Sequence, residues 1–141
     1  MPWAHPLLQL AATLLAGYVM ALGLRRARAL HWGRRIAFDW KGHVFWGRIV
    51  LATWLLGFAG GLAFTRFVWA SSLVTGAHWR LALAMTPLLV FGFATGQWLA
   101  RRKARRRVLP LLHGINNAVL LGLALCQIVT GWAVLRNFVL E

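Results

Sequence analysis

Four long apolar stretches, at residues 4–24, 42–65, 79–100 and 108–135, constrain this chain more than any other feature. Each is long enough to carry an α-helix through the hydrocarbon core of a bilayer, which takes about 20 residues. Backbone polar groups in that core must be satisfied within the segment or a closed barrel, so stretches of this length are expected to be helices. The expected architecture is one all-α membrane domain, 1–141, built as a four-helix bundle. Composition agrees: 60% of residues are hydrophobic, only 13% are charged, and the mean hydropathy is +0.66. The natural solvent for such a chain is lipid. The residues ahead of the first stretch, Met1-Pro2-Trp3, carry no positive side chain, and no convincing small-residue cleavage site follows. The first span is therefore expected to stay in the mature protein. The only cysteine, Cys126, lies inside the fourth span, so an internal disulfide is impossible and packing is its expected role.

Sixteen Lys and Arg stand against two Asp and Glu, a balance that invites a nucleic-acid reading. Position argues against it. Arg25, Arg26, Arg28, Arg34, Arg35 and Lys41 cluster between the first two spans, and the run from Arg101 to Arg107 fills the gap between the last two. The second gap holds only Arg66 and Arg80. The positive-inside rule then puts the first and third loops on the inner side of a bacterial-type plasma membrane and both termini outside. Tryptophan placement agrees, since Trp3, Trp69, Trp79 and Trp132 fall at outer span ends and Trp40, Trp46 and Trp98 at inner ones, as interfacial anchoring requires. Trp54 alone is mid-span. The first loop, rich in Arg and Trp, is expected to form a short surface helix on the inner leaflet, and Ser71-Ser72 and Thr75-Gly76 mark turns in the second.

Histidine placement carries the chemistry. His5, His43, His78 and His113 each open one span, while His31 lies in the first loop as an expected surface residue. Because successive helices alternate in direction, His5 and His78 share the outer end and His43 and His113 share the inner end. Polar side chains within a bilayer are costly and usually face the bundle interior or serve a function. Two imidazoles facing each other across a four-helix interior suit an iron needing two axial nitrogens, with a porphyrin between the helices. A structural zinc site wants four N or S ligands, and neither end offers more than two histidines. Gly47 lies one turn after His43 on the same face, where a flat macrocycle would otherwise meet a side chain; close helix packing is the competing account of the glycines. Arg48, well inside a span, and Lys41 are candidate partners for anionic propionates at the inner site, with Arg80 and Arg66 at the outer; snorkelling to headgroups competes for each. Gln9, one turn beyond His5, and Asn116 and Asn117, one turn beyond His113, are candidates to support ligands or a quinone head.

The only carboxylates are Asp39 and Glu141, and neither lies within a span. Proton pumps and ion-coupled transporters usually carry intramembrane acids. No phosphate-binding loop or nucleotide motif is present either, so any chemistry must come from a cofactor.

These residues resemble the core of the cytochrome b561 electron-transfer family over essentially all four spans. His5-Pro6-Leu7-Leu8 is similar to the His-Pro-Leu-Leu opening of that family's first core helix, and Lys41-Gly42-His43 to the Lys-x-x-His opening of the second, one residue tighter. Ala77-His78-Trp79 stands where Leu-His-Ser-Trp opens the third, without its serine, and His113 with Gly122 and Gly131 resembles the fourth. The resemblance implies two haem b groups, one held by His5 and His78, the other by His43 and His113. The outer helices of six-helix members are absent, which points away from ascorbate and toward a bacterial, quinone-linked or complex-bound variant. The expected function is therefore electron transfer across the membrane between quinone or protein redox partners, either as a quinone-linked oxidoreductase or as a part of one. Two other readings stand beside it: a haem-carrying anchor subunit of a larger oxidoreductase, and a cofactor-free structural or assembly subunit. Homo-oligomers and larger complexes are compatible with all three, and nucleic acid is not an expected partner.

Overall fold

The computed structural model describes residues 3–71, 73–102, 104 and 106–140. Met1, Pro2, the turn residue Ser72, the basic-loop residues Lys103 and Arg105, and the carboxylate-bearing Glu141 lie outside the described residues. Four helices make up the fold: α1 (Ala4–His31), α2 (Trp40–Val68), α3 (Ala77–Arg101) and α4 (Val108–Leu135), the last followed by a π-helical turn, Arg136–Leu140. All four are long and apolar enough to cross a membrane. Around the bundle α1 packs on α2 and α4, and α3 packs on α4 and α2. Among the described residues the diagonal partners, α1 with α3 and α2 with α4, make no close backbone approach.

The helices outrun the apolar stretches, most of all in α1. Hydropathy ends near Leu24, but Arg25, Arg26, Ala27, Arg28, Ala29 and Leu30 are all residues of high or neutral helix propensity. Cations in a last turn also suit the negative end of the helix dipole, and Arg28 and His31 occupy that turn. The separate surface helix expected in the first loop is therefore not formed: residues 25–31 extend α1, residues 33–39 are irregular, and α2 begins at Trp40. His31 is the final residue of α1. Gly33 then takes a left-handed φ of 64°, which lets the Arg34 N–H turn back onto the Arg28 carbonyl at 3.2 Å. Asp39 starts α2 by accepting the Gly42 N–H at 3.0 Å, and a Cβ on Gly42 would collide with that carboxylate.

A single spacing rule organises the interior. Seven residues after the four histidines stand Ala12, Val50, Met85 and Leu120; eleven after stand Ala16, Trp54, Leu89 and Ala124. These eight residues are the central packed cluster. At about 3.6 residues per turn, steps of 7 and 11 are close to two and three whole turns, so each histidine and its two core residues share one helix face. The outside is apolar as well, with Phe67 84% exposed and Leu14, Leu56 and Val129 about as open. Such a surface is untenable in water and is what a lipid-facing bundle presents.

Candidate cofactor site

The interior rule extends to one more position. Eighteen residues, about five turns, after each histidine stands a glycine: Gly23, Gly61, Gly96 and Gly131. Because neighbouring helices are antiparallel, each glycine meets the histidine of its hairpin partner. A Cβ on Gly61 would lie 3.4 Å from the His5 ring carbon Cε1, and one on Gly23 would lie 3.2 Å from that of His43. In the second hairpin the matching distances are 3.1 Å from Gly131 to His78 and 3.2 Å from Gly96 to His113. Each imidazole edge thus occupies the space a side chain would fill.

The four rings meet in two pairs, each spanning a diagonal of the bundle. His5 and His78 have ring centroids 6.5 Å apart with planes at 79°, and His43 and His113 lie 6.4 Å apart at 74°. The pairing expected from topology is the one observed. A metal–imidazole bond of about 2.0 Å and a ring radius of about 1.2 Å put two imidazoles on opposite sides of one metal with centroids about 6.3 Å apart. A plain edge-to-face ring contact spans the same range, so distance does not decide between them, and the ring protons carry more weight.

His43 Nδ1 lies 3.2 Å from the Val19 carbonyl, an acceptor only, so Nδ1 must donate. The Thr95 hydroxyl lies 2.7 Å from the Phe91 carbonyl and 2.9 Å from His113 Nδ1, and the Thr130 hydroxyl lies 3.1 Å from His78 Nδ1 and 3.0 Å from Gln127 Oε1. The carbonyl fixes His43 as the Nδ1–H tautomer, which leaves its Nε2 with a lone pair, the form in which a neutral histidine binds a metal, and each threonine oxygen can accept an Nδ1 proton in the same way. His5 has no ring hydrogen bond among the described residues. The His43 ring is also faced by Phe38, 5.5 Å away between centroids.

The other candidates divide. Asn117 donates to the His113 carbonyl at 2.7 Å, and its amide nitrogen lies 3.3 and 3.4 Å from the two ring nitrogens, so it flanks the His113 imidazole. Gln9 and Asn116 instead tie hairpins together: Gln9 donates to the Thr53 carbonyl at 3.1 Å and Asn116 to the Leu88 carbonyl at 3.0 Å. Arg48 donates to Gln97 Oε1 at 2.7 Å across α2 and α3. Lys41 is exposed in the first turn of α2. Arg80 stands near the ring of Trp79, and Arg66 lines a shallow groove with Phe67 and Leu73. Gly47 faces α1, where a Cβ would make an ordinary 3.6 Å contact with Val19. Gly131 already stood in the fourth-helix motif, whereas Thr95, Thr130, Gly23, Gly61 and Gly96 did not; a constant interval of 18 residues after each histidine finds the glycines, and the residue just before Gly96 and Gly131 is the threonine.

Among the described residues no three His, Cys, Asp or Glu side chains converge. Each pair can give a metal two ligands from this chain, and an iron already held by four porphyrin nitrogens needs two. The donor set therefore fits haem and does not fit tetrahedral zinc. Comparison with protein-family models, characterised proteins and solved structures gave no match for the chain.

Proposed function

We propose that this protein is a di-haem b-type cytochrome that passes electrons across a membrane. The observation that carries the reading is the pair of diagonal histidine contacts at opposite ends of the bundle, with Nδ1 of His43, His78 and His113 each within hydrogen-bond distance of an oxygen. His5 and His78 would hold the outer haem, and His43 and His113 the inner. Bound haem supplies a reversible one-electron change at iron; the residues of this chain supply the rest. Val19, Thr95 and Thr130 anchor the imidazoles and raise their basicity by accepting their protons, as groups behind metal ligands generally do. The facing glycines fix each ring edge. Arg48, with Lys41 beside the inner site and Arg80 and Arg66 at the outer, provides cations for propionates. The central cluster excludes water between the two sites.

In this proposal the basic loops face the cytoplasm of a bacterial cell and the termini face outward. Electrons then exchange with quinone or protein partners at the two faces. The described loops build no domain outside the helices, which also favours a second reading, a haem-carrying anchor for a larger oxidoreductase. A stoichiometric subunit that co-purifies would select it. The proposal itself is tested by replacing each of the four histidines singly with alanine in detergent-extracted protein. Loss of His5 or His78 should remove one spectral component and loss of His43 or His113 the other. Difference spectra unchanged by all four replacements would sink the assignment.

A further inference from the structure

Among the eight residues of the central cluster, seven are aliphatic or methionine and one is aromatic, Trp54. Its counterparts eleven residues after the other histidines are Ala16, Leu89 and Ala124. The indole sits on the same face of α2 as His43 and Gly61, about 16 Å along the helix from the first and about 10 Å from the second at 1.5 Å per residue. It therefore stands between the two histidine pairs, whose levels on each helix are separated by about 27 Å. Its ring nitrogen donates to the Thr13 hydroxyl at 3.4 Å, and that hydroxyl donates to the Gln9 carbonyl at 2.8 Å.

We propose that Trp54 is the bridge through which electrons pass between the two centres, an inference that rests on the di-haem reading. Tunnelling falls off steeply with distance and with gaps in packing, and a π-system couples better than saturated side chains. Trp54, buried in the cluster, puts its one π-system in the gap. One electron leaves the ferrous iron of one centre, which becomes ferric, and reduces the ferric iron of the other. No bond or proton changes place, and the indole ends as it began.

The test compares the native protein with Trp54→Leu and Trp54→Phe, each half-reduced, by laser-triggered electron redistribution between the haems. With both haems retained and their potentials unchanged, Trp54→Leu should slow the exchange about tenfold, and Trp54→Phe should recover part of the rate. A purely packing role would slow Trp54→Leu and Trp54→Phe alike, since each leaves a gap where the indole stood. Independently, in protein labelled with 5-fluorotryptophan, the resonance that Trp54→Phe removes should broaden when either centre is oxidised to its paramagnetic state. An unchanged rate in two-haem Trp54→Leu, or a Trp54 resonance indifferent to both centres, overturns the bridge alone. Protein that carries no haem overturns the di-haem reading and the bridge with it.

Discussion

Replacing Gly131 with valine should remove the outer centre and spare the inner one. At this position a Cβ alone would come within 3.1 Å of His78 Cε1, whereas ordinary contact starts near 3.4 Å. An alanine therefore asks the imidazole to retreat by about 0.3–0.5 Å, and overpacking of that kind costs about 1–3 kcal/mol. Valine adds two methyl groups, each about 1.5 Å beyond Cβ, against a ring also held at Nδ1 by Thr130. A penalty at the upper end of that range lowers affinity about 100-fold. Gly122→Val is the matched control, because a Cβ there meets nothing within 4 Å and the change in helix propensity is the same. The assay is haem stoichiometry per chain by pyridine haemochrome, with the remaining component read from the difference spectrum. One haem is expected for Gly131→Val and two for Gly122→Val, and Gly96→Val should remove the inner centre in the same way. Two haems in both Gly131→Val and Gly96→Val would refute the idea that these glycines seat the ligands.

Thr130→Val keeps the shape of residue 130 but takes away the acceptor for His78 Nδ1–H. A less basic ligand stabilises ferric iron less, so the outer potential should rise by about 30–60 mV in a redox titration while the inner one stays put. Thr95→Val should do the same to the inner centre. Asp39→Ala removes the acceptor at the start of α2 and should cost about 1 kcal/mol, seen as a lower thermal midpoint in detergent. In a Cys126→Ser background, a cysteine introduced at Gly33 should react with an impermeant maleimide only from the cytoplasmic side, and one at Thr75 only from the outside; the reverse pattern would invert the proposed topology.

Much of the bundle could be read from hydropathy, because lipid demands long apolar segments and leaves few alternatives. The depth pairing of the histidines followed from the alternation of helix direction, and the ring contacts of His5 with His78 and His43 with His113 show the same pairs. Helix ends were less legible. Arg25 to Leu30 look like a loop to a hydropathy window, yet they are good helix formers placed where the dipole favours cations. Of the glycine partners of the rings only Gly131 stood in a motif; Gly23, Gly61 and Gly96 stayed hidden because an 18-residue interval exceeds the span of local motifs. Thr95 and Thr130 resemble ordinary membrane threonines that bond within their own helix; each hydroxyl also lies within hydrogen-bond distance of an imidazole Nδ1. Gln9 and Asn116 lie one turn or less from ligands in sequence but point at neighbouring carbonyls, a direction that spacing alone does not carry.

The central claim is that two histidine pairs each hold one haem in a single chain. Its most direct test is haem content and type in gently extracted, monodisperse protein, measured by pyridine haemochrome against protein concentration. The account predicts two haem b per chain, with spectra typical of iron bound by two histidines. A folded, helical protein with no Soret band would contradict it.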